Sequence, residues 1–132
     1  MRHPRIGKQT SLTIEATEDD SAAAVGNTDV DVVATTALIL FIEAAAAELI
    51  DDCCEPGEIS VGSAVNVRHL AAAPIGARIK ATAKVTAVQG RRIDFAVEAH
   101  HGRILLMIGT HQRVVVNQER FMKQHGLVVE RS

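Results

Sequence analysis

The residues best suited to chemistry in this sequence are an acid and a histidine in apolar surroundings. Glu43 lies in the middle of the most apolar stretch of the chain, ATTALILFIEAAAAELI at residues 34–50. An ionised side chain is rare in such a stretch unless a partner or a reaction holds it there. His69 follows Val67 on the alternating apolar face of a predicted strand. If the two groups meet in one apolar layer, they form a candidate acid/base pair, because burial shifts the pKa values of such groups and can bring them close to the working pH.

Each of these residues also has a purely structural interpretation. Glu43 could pair with a buried Arg or Lys, or reach solvent through a gap in the packing. His69 could be a hydrogen-bonded core residue. Thr35 and Thr36 stand at the predicted start of the apolar helix, where a threonine could cap backbone N–H groups or hold a hydroxyl beside a substrate. Thr35 and Glu43 are about 12 Å apart along a straight helix, so both could touch a substrate between them unless Thr35 folds back from outside the helix.

Length and composition indicate a single soluble domain spanning residues 1–132. The formal charge of -2 and the pI of about 6.3 imply no bulk attraction to nucleic acid or to anionic membranes. An aromatic content of 2%, without Trp or Tyr, argues against base-stacking platforms. Cys53 and Cys54 are adjacent, so a bridge between them would be strained, and reduced thiols are typical of a cytoplasmic protein. The sequence begins without an apolar leader, and the 34–50 run is too short and too acidic to span a bilayer.

The sequence predicts a strand, a long helix and then four more strands. The segment SLTIEATEDD alternates loosely, as a first strand does. Neither Gly nor Pro interrupts residues 34–54, where Ala and Leu favour a helix that is apolar on nearly every face. After Pro56 the period changes to two, and the turns QGRR and HHGR join successive strands as hairpins. Asn117 can cap a closing helix at about 118–125, and the core spans about 8–118.

These elements predict an α+β hotdog fold. An antiparallel sheet of about five strands has one face to bury, and the long helix needs cover on all sides. Wrapping the sheet around the helix satisfies both requirements. A single layer of this kind still leaves helix or sheet surface uncovered, so we expect a homodimer or a higher homo-oligomer.

Several short motifs follow one another in the order of a known family. They are Thr35, Glu43 in FIEAAA, EPGE, Gly62 in SVGSAV, His69 in VRHLAAAPIG, VQGRRIDFAVEAHHG and GTHQRVVV. With these motifs, the chain from about Ala34 to Phe121 resembles the fluoroacetyl-CoA thioesterase family of hotdog proteins. The resemblance implies hydrolysis of an acyl-CoA thioester with a small or short-chain acyl group. It also implies that coenzyme A enters as part of the substrate and that no further cofactor or metal is needed.

The resemblance assigns roles to five residues. The catalytic threonine, glutamate and histidine of the family fall on Thr35, Glu43 and His69. The glycine and the arginine near the substrate fall on Gly62 and Arg113, which would otherwise be interpreted as a strand bulge and a surface ion pair. The resemblance implies that pantetheine lies between subunits, that Glu43 activates water or attacks the carbonyl, and that His69 orients Glu43 or protonates the leaving thiolate. The segment GNTDVDVV has no aromatic residue to cover a small acyl pocket, so the resemblance does not extend to fluoroacetyl selectivity.

Two other functions remain open from the sequence. A hotdog hydratase would add water to an enoyl-CoA, but its usual signature, an Asp followed five residues later by a His, is absent. A non-catalytic module that binds or senses acyl-CoA would have the same fold, although no DNA-reading segment is attached. His111 and Arg113 share a face of the last strand, but no Cys, His and Asp spacing resembles a zinc site.

Overall fold

A five-stranded antiparallel sheet packs around one long helix in the computed structural model, which describes residues 1–27 and 30–126. In chain order the elements are β1 (Gln9–Glu15), α1 (Thr35–Leu49), β2 (Glu58–His69), β3 (Arg78–Gln89), β4 (Arg92–His101), β5 (Ile104–Asn117) and α2 (Gln118–Gln124). The strand order is β1-β3-β4-β5-β2, so β1 and β2 are the edges of the sheet. The predicted α+β arrangement of about five strands around one long helix is confirmed. No helix in the described ranges is long and apolar enough to cross a membrane.

Two tight turns set the order of the last three strands. Gly90 (φ 60°) joins β3 to β4, and Gly102 (φ 59°) joins β4 to β5. Both backbone conformations are left-handed, which glycine adopts without a steric penalty. After the second turn, β5 pairs with β4 on one side and with β2 on the other. It is therefore an interior strand of the sheet, although two of its apolar side chains, Ile104 and Ile108, are 51% and 37% exposed.

The core lies between α1 and the inner face of the sheet. The buried residues of the helix are Ala37, Leu38, Phe41, Ile42, Ala45, Ala46 and Leu49. The alternate buried residues of β3 and β4 are Ile79, Ala81, Ala83, Val85, Ile93, Phe95, Val97 and Ala99. Complete burial of a Leu or Ile side chain contributes about 1.5–3 kcal/mol relative to leaving it exposed. Leu38 and Ile42, both at 0% exposure, therefore anchor the helix to the sheet.

One face of α1 is not covered by the sheet of its own chain. Leu40 is 64% exposed, and Thr36, Ala44 and Glu48 on the same side of the helix are also exposed. The expectation of a helix covered on all sides is therefore met only in part within one chain. The physical reason is that a single sheet layer packs against only one side of a helix that is apolar nearly all round.

Backbone contacts bring the beginning of α1 to the end of β2. The N–H of Val33 donates to the carbonyl of Ala73 at 2.9 Å, and Val32 forms an isolated bridge with Pro74. Because β2 ends at His69, only a few residues before these partners, the first turn of the helix starts beside the last residue of the strand.

A bulge in β2 changes which of its residues face the helix. The register of β2 against β5 shifts between Gly62 and Ala64. Gly62 and His69 are an odd number of positions apart, so strict alternation would place them on opposite faces of the sheet. The extra residue, Ser63, brings both onto the face that α1 covers.

Candidate active site

The beginning of α1 and the end of β2 meet at a hydrogen bond between Thr35 and His69. Thr35 Oγ1 lies 2.7 Å from His69 Nδ1. The N-cap of α1 is Ala34, so the Thr35 hydroxyl does not cap the helix. The capping role that the sequence allows for Thr35 is therefore not observed. The second ring nitrogen, Nε2 of His69, is buried and has no hydrogen-bond partner among the described residues. A hydroxyl bonded to an imidazole that keeps one nitrogen available can hold and transfer a proton.

A pocket of about 180 Å³ opens beside this pair. Thr35, Thr36 and His69 line it together with a mainly aliphatic group formed by Ala22, Val25, Asn27, Val32, Val33 and Ala34. Within residues 1–27 and 30–126 no side chain caps α1, so the first backbone N–H groups of the helix present partial positive charge here. A helix start of this kind can stabilise a negative charge that develops on a carbonyl oxygen.

Glu43 lies further along α1, in a second cluster with Arg113 and Gly62. Its Oε2 is 3.5 Å from Arg113 Nη1, and its side chain is 33% exposed. A Cβ atom built on Gly62 would lie 2.8 Å from the same oxygen. Gly62 does not have a positive φ, so the feature that favours glycine here is the close packing of the carboxylate against its backbone, which a side chain would displace. Arg113 is buried, which differs from the surface ion pair considered from the sequence.

Hydrogen bonds from all three guanidinium nitrogens hold Arg113 in place. Nε donates to the Ser60 hydroxyl and Nη2 to the Ser60 carbonyl, each at 3.0 Å. Nη1 donates to Nε2 of His111 at 3.2 Å. Burial lowers the pKa of Arg113, and the charge of Glu43 opposes that shift. A planar cation fixed at three points presents a rigid positive charge to the carboxylate.

The five predicted site residues thus form two groups within one chain. Thr35 and His69 make one group, and Glu43, Gly62 and Arg113 make the other. Among the residues that the structure describes, no hydrogen bond or ion pair joins the carboxylate to the threonine or the histidine. A single constellation of all five remains a prediction. Nor does any group of three or more His, Cys, Asp or Glu side chains within 1–27 and 30–126 form a candidate metal site.

Two residues of the second cluster were not assigned from the sequence. The sequence places His111 on the same strand face as Arg113 without indicating a role for it, and it gives no indication of Ser60. The alternate spacing of His111 and Arg113 was a usable signal, because residues two apart on a strand lie on one face. The sequence carries no such signal for Ser60, because its contact with Arg113 depends on how β2 and β5 are paired, and these strands lie far apart in the chain.

Comparison with known proteins identifies the family. Residues 16–119 match the sequence family described as fluoroacetyl-CoA-specific thioesterase. The chain belongs to this family. The matched range contains both clusters and most of the sheet, so the thioesterase family suggested by the sequence motifs is confirmed.

Similar proteins agree with this family in sequence and in fold. The fluoroacetyl-CoA thioesterase of Streptantibioticus cattleyicolor is 38% identical over 91 residues, which make up 69% of this chain and 66% of that protein. The matched part is thus just under two thirds of that relative's length. A structure of the fluoroacetyl-CoA thioesterase FlK has a TM-score of 0.88 at 28% identity, covering 94% of this chain and 96% of the other. A variant of FlK in complex with fluoroacetate and CoA has a TM-score of 0.83 at 30% identity, covering 89% and 99%. The predicted hotdog fold is confirmed.

Proposed function

We propose that this chain is an acyl-CoA thioesterase whose catalytic group is Thr35, Glu43 and His69. Its membership of the fluoroacetyl-CoA-specific thioesterase family supports the reaction class. The observation that carries the assignment of the acid is the state of Glu43, a partly exposed carboxylate held 3.5 Å from a buried arginine in a mainly apolar helix. An acid that is fixed in position and still open to water is suited to act as a general base or a nucleophile.

Each group has a distinct task in the proposed reaction. The first N–H groups of α1 stabilise the oxyanion that forms from the thioester carbonyl. Glu43 activates a water molecule or attacks the carbonyl carbon. The pair of Thr35 and His69 positions the carbonyl and returns a proton to the leaving thiolate. Gly62 and Arg113 border the substrate and fix the carboxylate.

A homodimer paired through the β2 edge would unite the two clusters in one site. β2 is an edge strand with residues 62–66 exposed, and Leu40 on the uncovered face of α1 is 64% exposed. An exposed strand edge and a large exposed apolar side chain on a helix both favour contact with another chain. Antiparallel pairing of two β2 strands about a two-fold axis brings the Gly62 end of one copy to the His69 end of the other. Glu43 of one copy then meets the histidine of the second.

Mixing two inactive variants tests this shared site. In a dimer of one Glu43→Gln chain and one His69→Ala chain, one shared site carries both substitutions and the other carries neither. Statistical exchange of subunits should therefore restore about a quarter of the wild-type activity. A site contained within one chain would give no recovery. Light scattering after size exclusion tests the dimer itself, with Leu40→Glu as the variant that should weaken the interface. A wild-type chain that elutes as a monomer would contradict the proposed dimer.

The catalytic role of Glu43 is tested by release of free thiol from acyl-CoA. Glu43→Gln should lower kcat by about 10²–10⁴, the usual contribution of a positioned general base, while its thermal unfolding stays close to that of the wild type. Glu48→Gln is the matched control, because Glu48 is an exposed acid on the same helix. A Glu43→Gln variant that hydrolyses several short acyl-CoAs at the wild-type rate would remove Glu43 from the mechanism.

A second candidate is a non-catalytic acyl-CoA-binding module. The pairing of Glu43 with Arg113 favours it, because an acid neutralised by a buried arginine can serve architecture alone. Calorimetry with acyl-CoA and the thiol assay separate the two candidates: tight binding without thiol release would support the binding module.

The acyl group that we propose is short and aliphatic, carried by coenzyme A in the cytoplasm. The pocket beside Thr35 and His69 is mainly aliphatic, and the sequence has no Phe, Tyr or Trp before Phe41 that could close over a very small acyl group. The free thiols of Cys53 and Cys54 support a reducing compartment. Acyl-CoAs of graded chain length, compared by kcat/KM, test the preference. A strong preference for fluoroacetyl-CoA over butyryl-CoA would contradict it.

A further inference from the structure

His111 makes two directional hydrogen bonds that fix the position of its proton. Nδ1 lies 2.9 Å from the carbonyl oxygen of Ala64, which can only accept, so Nδ1 carries the hydrogen. Nε2 lies 3.2 Å from Nη1 of Arg113, which can only donate, so Nε2 is the acceptor. Both bonds are satisfied together only by the neutral ring with its proton on Nδ1.

The surroundings of the ring favour this neutral form. His111 is 2% exposed, and burial is the main cause that lowers its pKa. The hydrogen bond to Ala64 opposes the shift, the charge of Arg113 adds to it, and the charge of Glu43 opposes it. Among the residues that the structure describes, the charged groups that face the ring are thus Arg113 from β5 and Glu43 from α1. β2 supplies the Ala64 carbonyl, and β4 supplies Phe95, whose ring stacks on the imidazole with centroids 6.0 Å apart.

We propose that His111 is a positioning residue, which aims the Arg113 guanidinium at Glu43 through the acceptor Nε2. The inference rests on the proposed function, because it gives the placement of Glu43 a catalytic purpose. Ser60 fixes Nε and Nη2 of the guanidinium, whereas the nitrogen nearest Glu43, Nη1, has His111 as its hydrogen-bond acceptor. Without that acceptor the guanidinium can turn about its Ser60 contacts, and the carboxylate loses its fixed partner.

Protonation of His111 would have the same effect as removing it. The imidazolium has no acceptor at Nε2 and places a second positive charge against the guanidinium. The alignment of Arg113 is therefore complete at neutral pH and lost as the pH falls through the lowered pKa of His111. This predicts an acid limb in kcat/KM that belongs to a residue outside the catalytic group.

Two substitutions separate the hydrogen bonds of His111 from its packing. His111→Phe keeps a ring to stack on Phe95 but provides no acceptor, and we expect kcat to fall by about 10- to 100-fold with a smaller change in KM. His111→Gln offers an amide oxygen to Arg113 and should recover most of that loss. Because the amide does not titrate, the His111→Gln enzyme should also retain kcat/KM at pH values where the wild type has lost it.

A third measurement separates this inference from the proposed function. Glu43→Gln alone tests the proposed function. The double variant Glu43→Gln with His111→Phe tests whether His111 acts through Glu43. If it does, His111→Phe should lower kcat little further in the Glu43→Gln background. Nitrogen NMR of the histidine rings reports the tautomer without reference to activity. The inference is overturned by a proton on Nε2 of His111, by an additive loss in the double variant, or by a His111→Gln pH profile identical to that of the wild type. If His111→Phe does not fold, the NMR tautomer and the His111→Gln profile still decide the matter.

Discussion

Replacing Gly62 with alanine should damage the site while leaving the fold intact. The added Cβ would lie 2.8 Å from Glu43 Oε2, 3.3 Å from His111 Cε1 and 3.6 Å from Arg113 Nη1. To reach an ordinary contact of 3.4 Å, the carboxylate oxygen must withdraw by about 0.6 Å. Arg113 cannot follow it, because Ser60 and His111 hold the guanidinium. A misplacement of about 1 Å in a catalytic group can cost roughly 10²-fold in rate, so for this smaller displacement we expect kcat/KM to fall by about 10- to 100-fold.

The stability of the same variant should change little. The atom that must move is the end of a flexible side chain, and Gly62 has no positive φ that alanine would resist. Alanine is also better tolerated than glycine inside a strand, so we expect the free energy of unfolding to stay within about 1 kcal/mol of the wild type. Thermal unfolding and thiol release, measured on the same preparation, separate the two effects.

A second glycine on the neighbouring strand provides the contrast. A Cβ on Gly109 would lie 2.1 Å from the backbone oxygen of Asn66 and 2.7 Å from Val67 Cα. These are backbone atoms of a paired strand that cannot withdraw, so Gly109→Ala should destabilise the fold by about 3 kcal/mol or more. Two results would contradict this reasoning: a Gly62→Ala variant that unfolds as readily as Gly109→Ala, or one that keeps the wild-type kcat/KM. Either result would show that the contact at Gly62 does not set the position of the Glu43 carboxylate for catalysis.

Two further predictions concern groups outside the site. Hydrogen bonds from Arg91, from the backbone N–H of Glu55 and from the amino group of Met1, in that order of size, lower the pKa of Glu58 from 4.5 to about 2. The stabilisation is therefore present above pH 4.5 and lost as the pH falls through about 2. Glu58→Gln should therefore unfold at a lower temperature than the wild type at pH 7, by a margin that shrinks between pH 4.5 and 2; a margin independent of pH would contradict this. Burial is the main cause that raises the pKa values of Cys53 and Cys54, so both thiols should react with iodoacetamide at pH 7.5 more slowly than free cysteine does. Mass spectrometry of the alkylated chain measures this, and reaction at the rate of free cysteine would refute it.

The long helix and the hairpins could be predicted because their signals are local. An uninterrupted run of good helix formers predicts α1, and the change to a period of two after Pro56 predicts the strands that follow. The glycines at the two hairpin turns indicate where the direction of the chain reverses. These features depend on neighbours within a few residues, which the sequence displays directly.

The relation of Gly62 to His69 could not be predicted in the same way. Their spacing assigns them to opposite faces of an ideal strand, and only the bulge at Ser63 brings both to the helix. The bulge is a property of the pairing between β2 and β5, which lie far apart in sequence. The burial of Arg113 could not be predicted for the same reason. Its hydrogen-bond partner Ser60 lies on β2, and the sequence does not show how β2 and β5 are paired.

The ion pair between Glu43 and Arg113 differs from a purely architectural one in three respects. The separation of 3.5 Å is longer than a charge-assisted hydrogen bond, which is usually about 2.7–2.9 Å. The guanidinium already donates to Ser60 and His111, so its hydrogen bonds are directed to groups other than the carboxylate. The Glu43 side chain is 33% exposed, whereas a charge kept only for the fold is normally sealed and fully hydrogen-bonded. Arg113 therefore supplies a nearby positive charge without occupying the oxygen lone pairs of Glu43, which leaves the carboxylate able to accept a proton from water or to attack a carbonyl carbon.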